Sequence, residues 1–207
     1  VKEYLGRSPW QRFLYRLYRS PLVLFVIGPA YLFIIKNRLP LDTPKTWKKE
    51  WASIMWTNVA LAGVIGVAWA TIGLGKLFLV QMPMLFIALC VGVWLFYIQH
   101  QFEDTYWRRH PEWDFYRAGL EGSSYYDLPK WLHWFTGNIG YHHIHHLSSK
   151  IPNYKLPQCF REIPELHHVT RLTFWSSLSC IRLKLWDEAS GRLIGFRDLA
   201  RMAPAPT

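Results

Sequence analysis

Two long stretches without a charged residue constrain the fold of this chain more than any other feature. They run over residues 52–71 and 77–99. As helices rising about 1.5 Å per residue, both are long enough to cross a hydrocarbon layer about 30 Å thick. Gly73, Gly75 and Lys76 lie between them and favour a short turn. The sequence therefore predicts a transmembrane helical hairpin at residues 51–99.

Basic residues flank the predicted hairpin at both open ends. They are Lys36, Arg38, Lys45, Lys48 and Lys49 before it and Arg108, Arg109 and Arg117 after it. Because Lys and Arg accumulate on the cytoplasmic side of membrane proteins, both ends are predicted to face the cytoplasm. The formal net charge of +10 is spread over these flanks. This distribution indicates anionic lipid head groups as the partner and argues against nucleic acid.

Residues 1–50 are predicted to remain at the membrane surface. Arginines are interleaved with aromatic residues over residues 1–20, a mixture typical of a helix that lies in the interface. Residues 22–35 are apolar, but this stretch is only 14 residues long and contains Gly28 and Pro29. A re-entrant or surface-embedded segment is therefore expected, with a kinked span as the alternative.

The region after the hairpin, residues 100–207, is predicted to form a cytoplasmic cap. Apolar and basic positions alternate at near-helical spacing over residues 171–186 and predict another interfacial helix. The Ala-Pro pairs of residues 203–207 predict a frayed end. The three cysteines, Cys90, Cys159 and Cys180, have no paired spacing, so neither a disulfide framework nor a thiolate metal site is expected.

All nine histidines of the chain lie between His100 and His168. His142, His145 and His146 form an H-x-x-H-H pattern, and their i, i+3, i+4 spacing places them on one face of a helix. His100 ends the second apolar stretch, where it can reach a metal held by that helix. Imidazole is a common ligand of iron, copper and zinc. The sequence therefore predicts a metal site formed by His100, His142, His145 and His146.

Polar residues near these four histidines are candidates for a supporting role. Glu103, Asp104 and Asn138 lie close to them in sequence and can accept the second imidazole N–H, which would orient the rings. Pro152 ends any helix that carries the pattern, which predicts a helix of about three turns.

The remaining histidines are not assigned to the metal. His133 and His143 are expected close to the site or at the surface, whereas His110, His167 and His168 are expected to be solvated in loops near Pro111 and Pro164. The alternative for the whole cluster is a polar helix face in contact with water or with lipid phosphates.

Four stretches of the sequence resemble one known family. They are QHQFEDTYW at residues 99–107, GNIGYHHIHHL at residues 137–147, IPNY at residues 151–154, and the opening stretch at residues 3–21. They are similar to the membrane-bound fatty acid desaturases, in particular to the acyl-lipid type that includes the delta-12 and omega-6 enzymes, in a bacterial form. The first three resemble the region around and after that family's third histidine box. The opening stretch resembles the segment that follows the second box.

The resemblance implies an all-α integral membrane fold, in which membrane helices carry a cytoplasmic cap. It implies a centre of two iron ions that uses dioxygen and two electrons to insert a double bond into the acyl chain of a membrane lipid. It assigns His142, His145 and His146 to the third box and His100 to an additional ligand position. It also implies an electron donor such as a ferredoxin or cytochrome b5, and a bacterial inner membrane with the histidines on its cytoplasmic side.

The sequence departs from the family in its set of ligands. No histidine precedes His100, so the family's first and second histidine boxes are absent. No signal-peptide pattern is present at the start of the sequence. The chain is therefore expected to be one partial desaturase domain over residues 1–207, the C-terminal part of a longer enzyme, inactive without its N-terminal half.

Two other functions fit the same residues. A lipid or carotenoid hydroxylase or ketolase of the same di-iron class would add oxygen instead of a double bond, so product analysis distinguishes it from a desaturase. A non-catalytic membrane fragment that binds zinc or haem, or no metal at all, is the second alternative. Metal analysis of the purified chain distinguishes that one.

Overall fold

The computed structural model describes residues 1–202, and the predicted frayed end at residues 203–207 lies outside them. The described part is mostly helical. Its α-helices are α1 (Lys2–Leu5), α2 (Pro9–Tyr18), α3 (Gly28–Ala30), α4 (Lys48–Ile72), α5 (Leu74–His100), α6 (Phe115–Leu120), α7 (Lys130–Phe135), α8 (His142–Leu147), α9 (Leu156–Glu162), α10 (Phe174–Ser179) and α11 (Phe196–Met202). Its strands are β1 (Tyr125–Asp127), β2 (Arg171–Thr173), β3 (Leu183–Asp187) and β4 (Arg192–Gly195).

The chain divides into two compact units. One unit comprises Val1–Arg12 together with the chain from Leu95 onward, and the other comprises Phe13–Trp94. We refer to the first as the cap unit and to the second as the membrane unit.

The membrane unit contains two helices that are long and apolar enough to cross a bilayer. They are α4, with 25 residues and a mean hydropathy of 1.5, and α5, with 27 residues and a mean hydropathy of 2.2, whose last residues belong to the cap unit. Gly73 separates the two helices and has a φ of 83°, a backbone conformation that side chains with a Cβ rarely adopt. The prediction of two transmembrane helices is confirmed.

The short apolar stretch at residues 22–35 forms an irregular helix. Two π-helical turns, Val23–Ile27 and Tyr31–Ile35, flank α3, and a 3₁₀ turn follows at Lys36–Arg38. Together with α2, the segment Val23–Arg38 is long and apolar enough to cross a bilayer, but the axis of α2 and the axis of this segment differ by 51°. The segment is thus a broken span or a re-entrant loop, the two arrangements that the sequence left open.

The predicted interfacial helix at residues 1–20 is interrupted in the structure. Helix α1 ends at Leu5, and α2 begins at Pro9. Ser8 caps the second helix: its Oγ accepts the backbone N–H of Gln11 at 3.3 Å, and its own backbone N–H donates to the Gln11 side chain at 3.0 Å. This reciprocal pair, followed by a proline that suits the first helical position, starts a new helix at this point.

The cap unit contains two small sheets that the sequence analysis did not predict. Strands β1 and β2 pair in parallel, with Tyr126 opposite Leu172. Strands β3 and β4 form an antiparallel hairpin, in which Trp186 lies opposite Leu193. Asp187 stabilises the turn of this hairpin by accepting the backbone N–H of Ser190 at 3.0 Å.

The prediction of one interfacial helix at residues 171–186 was wrong. This region contains strand β2, helix α10, a 3₁₀ turn at Cys180–Arg182 and strand β3. Thr173 ends the strand and caps the helix, because its hydroxyl accepts the backbone N–H of Ser176 at 3.2 Å. A capping residue at that position fixes the helix start, and only the six residues of α10 are α-helical.

The core of the cap unit lies beneath helix α8. Ile144, Leu156 and Leu166 are buried together, and Leu147 and Phe160 pack against them. Because Ile144 occupies the centre of the H-x-x-H-H sequence, its burial fixes which face of α8 is turned away from the core. The histidines on that other face form the candidate site.

Candidate metal centre

Three of the four predicted ligands converge on one point. The Nε2 atoms of His100 and His146 are 2.9 Å apart, those of His142 and His146 are 3.1 Å apart, and those of His100 and His142 are 3.2 Å apart. The planes of the three rings are nearly perpendicular to one another, at 81° to 88°, and the edge of each ring that carries Nε2 is turned toward the common point. These three histidines are the group that the structure places in position to hold a metal ion.

The last turn of α5 fixes the orientation of His100. Its Nδ1 lies 2.8 Å from the backbone carbonyl oxygen of Phe96. Because a carbonyl oxygen can only accept, Nδ1 must carry the proton and donate it. Nε2 is then left with a free electron pair, which is the form of imidazole that binds a metal.

Helix α8 carries the other two nitrogens and is shorter than predicted. It contains six residues and follows a 3₁₀ turn at Ile139–Tyr141, so the predicted three-turn α-helix was wrong. Gly137 and Asn138 have positive φ values of 61° and 57° and redirect the chain just before this turn. Ser148 is extended and ends the helix before Pro152 is reached.

The spacing of the three nitrogens fits a metal ion. With a metal–nitrogen distance of about 2.1 Å, neighbouring ligands of an octahedral ion lie about 3.0 Å apart and those of a tetrahedral ion about 3.4 Å apart. The observed Nε2–Nε2 separations of 2.9 to 3.2 Å lie around the separation expected for an octahedral ion. Three nitrogens on one face leave further coordination positions open to other ligands.

Burial favours the neutral form of the two imidazoles that α8 contributes to the group, those of His142 and His146. Burial, together with the positive charge that the neighbouring His100 and His146 rings can carry, lowers the pKa of His142 to about 3. Burial also lowers the pKa of His146, again with a contribution from His100. Near neutral pH both rings are therefore unprotonated and able to bind a cation.

Comparison with known proteins identifies the family. The family model for fatty acid desaturases matches residues 3–177 of this chain. The chain belongs to the fatty acid desaturase family. The resemblance stated from the sequence is therefore confirmed.

Two curated desaturases are similar to this chain. The protein named "Fatty acid desaturase" from Bacillus subtilis (strain 168) is 42% identical over 199 residues, which are 96% of this chain and 56% of that protein. The "sn-1 oleoyl-lipid 12-desaturase" of Anabaena variabilis is 32% identical over 89 residues, which are 41% of this chain and 25% of that protein. The chain thus spans about half the length of the Bacillus relative.

His145 is the predicted ligand that does not join the other three. Its ring stacks on that of His142 with 5.7 Å between centroids, but it is exposed and offers no nitrogen to the group. On α8 the side chain of His145 lies about 60° around the helix axis from that of His142 and about 100° from that of His146. It therefore faces outward beside the three-histidine group.

The three predicted supporting residues of this family member lie elsewhere in the cap unit. Glu103 and Asp104 are exposed and face Arg192, at 3.6 Å and 3.0 Å from its guanidinium nitrogens. The side-chain amide of Asn138 donates to the backbone oxygen of Asn153 at 3.1 Å. Among residues 1–202, the contact that orients a ligand ring of the group is instead the Phe96 carbonyl.

The other histidines separate into buried and exposed ones. His143 is fully buried and His133 is nearly so, and burial lowers the pKa of both rings, that of His143 to about 4. His143 lies edge-on to Phe160 at 5.8 Å, on the core side of α8. His110, His167 and His168 are exposed, as the sequence analysis expected.

Gln99 is a residue beside the candidate metal site that the sequence analysis missed. It is fully buried, and its amide nitrogen donates to the carbonyl oxygen of Ile139 at 2.7 Å. Its own backbone oxygen accepts the N–H of Ser124 at 3.0 Å. The bond to Ile139 joins the end of α5 to the segment just before α8, and so sets the position of His100 relative to the other two histidines, whereas the bond from Ser124 joins α5 to the residue before β1. An amide side chain at the end of an otherwise apolar stretch was the signal.

Replacing Gln99 with leucine is expected to weaken metal binding by about tenfold and to destabilise the cap unit by about 1–3 kcal/mol. The leucine cannot donate, so the buried carbonyl of Ile139 loses its partner. Titration with Co²⁺, followed by visible absorption well below the unfolding temperature, measures the first effect. The control is Gln81→Leu, since Gln81 lies exposed in the membrane helix α5. Unchanged Co²⁺ affinity in the Gln99 variant would contradict this role.

Proposed function

We propose that this chain provides part of the iron centre of an oxygen-dependent fatty acyl desaturase. The observation that carries the proposal is the group of three Nε2 atoms, 2.9 to 3.2 Å apart, in a chain that belongs to the desaturase family. His100, His142 and His146 would hold one iron ion. His145 would turn to a second, whose other ligands come from polypeptide outside residues 1–207.

The chemistry of desaturation explains why the site needs a metal. An unactivated methylene has no acidic proton and no leaving group, so acid-base or nucleophilic side chains cannot attack it. Bound iron would supply oxidising power from dioxygen and two electrons. The protein's own residues would hold the three imidazoles at fixed separations and direct one electron pair of each toward the ion.

An acyl chain can approach this site along an apolar surface. Phe96 is 64% exposed, and its ring lies 4.6 Å from that of His100. Phe96 belongs to α5, which is long and apolar enough to cross a bilayer. A lipid chain lying against this helix would therefore have its methylenes close to the three-histidine face, which supports a membrane lipid as the substrate.

The same proposal includes the location and the electron donor. The Lys and Arg residues that flank the spans support a bacterial inner membrane with the histidines on its cytoplasmic side. A small acidic donor of the ferredoxin or cytochrome b5 type would find a basic protein there, with a formal net charge of +10 for the chain.

The test is product analysis with the complete gene that encodes this chain. We expect its expression in a bacterium without desaturases to add a double bond to membrane fatty acids, detected by mass spectrometry of their methyl esters. The variant His146→Ala should abolish the product, whereas His168→Ala, at an exposed position, should retain it. An added oxygen in place of a double bond would instead identify a hydroxylase, and stoichiometric zinc or haem in the purified protein would contradict the proposal.

A further inference from the structure

A second site of the cap unit is a cleft beside the β3–β4 hairpin. It has a volume of about 760 Å³, and its lining includes residues of β3, α10 and α11. This volume falls within the range of about 300–1,000 Å³ that is usual for sites that bind small ligands. None of the three histidines of the metal group lines it.

Four basic side chains line this cleft. They are Arg182, Lys184, Arg197 and Arg201. Arg197 and Arg201 are one turn apart on α11 and therefore lie on the same face of that helix. Within the described residues 1–202, the ion pairs of the protein include none formed by Arg182, Arg197 or Arg201. Their guanidinium groups can therefore bind an anion that enters the cleft.

The acidic residues in the lining already have partners. Glu103 and Asp104 face Arg192, as described above. Asp198 accepts the backbone N–H of Gly195 at 2.9 Å. With Arg192 included, five basic side chains face three acidic ones, so the formal net charge at the cleft is +2.

Lys184 connects the cleft to the end of a membrane helix. Its side chain is only 6% exposed, and its ammonium lies 3.3 Å from the hydroxyl of Tyr97 and 5.4 Å from the centre of that ring. Tyr97 belongs to α5 and lies three residues before its end at His100. The cleft thus adjoins the C-terminal end of a helix that is long and apolar enough to cross a bilayer. Burial of the Lys184 ammonium strengthens its attraction to an anion bound in the cleft, because the surroundings screen the charges less than water does.

Helix α10 has the composition of a segment in contact with a membrane surface. Phe174, Trp175 and Leu178 are exposed, Trp175 to 77%. Ser176 and Ser179 of the same helix line the cleft. Aromatic side chains are favoured at the level of the head groups, so the exposed apolar face of this helix is suited to a membrane surface, while its serines face the cleft.

We propose that the cleft binds the phosphate of an anionic phospholipid head group at the membrane surface. Arginines suit this ligand because the guanidinium group forms paired hydrogen bonds with phosphate oxygens. The inference does not depend on iron or on desaturation, so its failure and that of the proposed function are distinguishable.

The test measures binding of soluble dihexanoyl phosphatidylglycerol to the chain purified in a non-ionic detergent. We expect calorimetry to show binding that is weakened by about tenfold or more in the double variant R197Q/R201Q, which loses two charge-assisted contacts. The matched control K130Q/K150Q removes the same charge from exposed positions of the cap unit outside the cleft, and should bind like the parent. R182Q provides a second, independent variant if the double variant unfolds.

Three results would overturn the proposal. Equal binding by the parent and R197Q/R201Q would exclude the cleft as the site. Equal affinity for inorganic phosphate and for the lipid would identify a site for free phosphate. An acidic ferredoxin whose binding is lost in R197Q/R201Q, while binding of the lipid is retained, would identify a protein docking surface instead.

Discussion

Replacing His142 with alanine is expected to lower the affinity of the chain for Fe²⁺ or Co²⁺ by about 100-fold or more, since loss of an outer partner of a ligand alone costs about 10–100-fold. The Nε2 atom of His142 lies 3.1 Å from that of His146 and 3.2 Å from that of His100. It therefore takes part in two of the three close nitrogen–nitrogen approaches of the group. The variant retains only two converging nitrogens. Titration with Co²⁺, followed by visible absorption, measures the loss.

Two further alanine variants control this experiment. His168→Ala removes an exposed imidazole outside the group and should bind Co²⁺ like the parent. His145→Ala should show a far smaller loss than His142→Ala, because His145 offers no nitrogen to the group. Equal losses in the His145 and His142 variants would show that all four predicted histidines bind one ion.

Replacing Gly140 with alanine is expected to destabilise the cap unit by about 3 kcal/mol, the upper end of the usual cost of overpacking. A Cβ at this position would lie 2.4 Å from the carbonyl oxygen of Tyr126 and 2.5 Å from Cε1 of His133. The segment that leads into α8 would have to move away from β1. For a chain of this size the unfolding midpoint should fall by about 6–12 °C, as measured by tryptophan fluorescence in detergent.

A second glycine provides the control for this substitution. In α4, a Cβ added to Gly66 meets no atom within 4 Å. Gly66→Ala should therefore leave the midpoint unchanged or raise it slightly, since alanine favours a helix more than glycine does. A Gly140 variant as stable as the parent would show that the approach of Tyr126 and His133 is easily relaxed.

The membrane helices and most of the ligand set could be predicted from the sequence because both depend on local patterns. An uncharged stretch identifies α4 and α5 without knowledge of the rest of the fold. The spacing of His142 and His146 puts them on one helical face, and the position of His100 at the end of α5 brings it to them. The convergence of these three histidines therefore follows from the spacing on α8 and from the position of His100 at the end of α5.

The features that the sequence did not reveal depend on contacts between distant residues. Strands β1 and β2 have three residues each, and Tyr126 pairs with Leu172 far along the chain. Such short strands carry no clear period of two. In residues 171–186, alternating apolar and basic positions fit a helix and a strand equally well, so the capping role of Thr173 was needed to separate them. Gln99 likewise acts through Ile139, which is 40 positions away.

The distance in sequence between the three histidines would couple metal binding to folding. His100 and His142 are 42 positions apart, and His100 and His146 are 46 positions apart. An ion held by all three closes a large loop and removes conformational entropy from the unfolded chain, much as a disulfide does. Metal binding and closure of this loop thus form one coupled equilibrium. Loss of a bound ion would therefore also loosen the polypeptide that holds it.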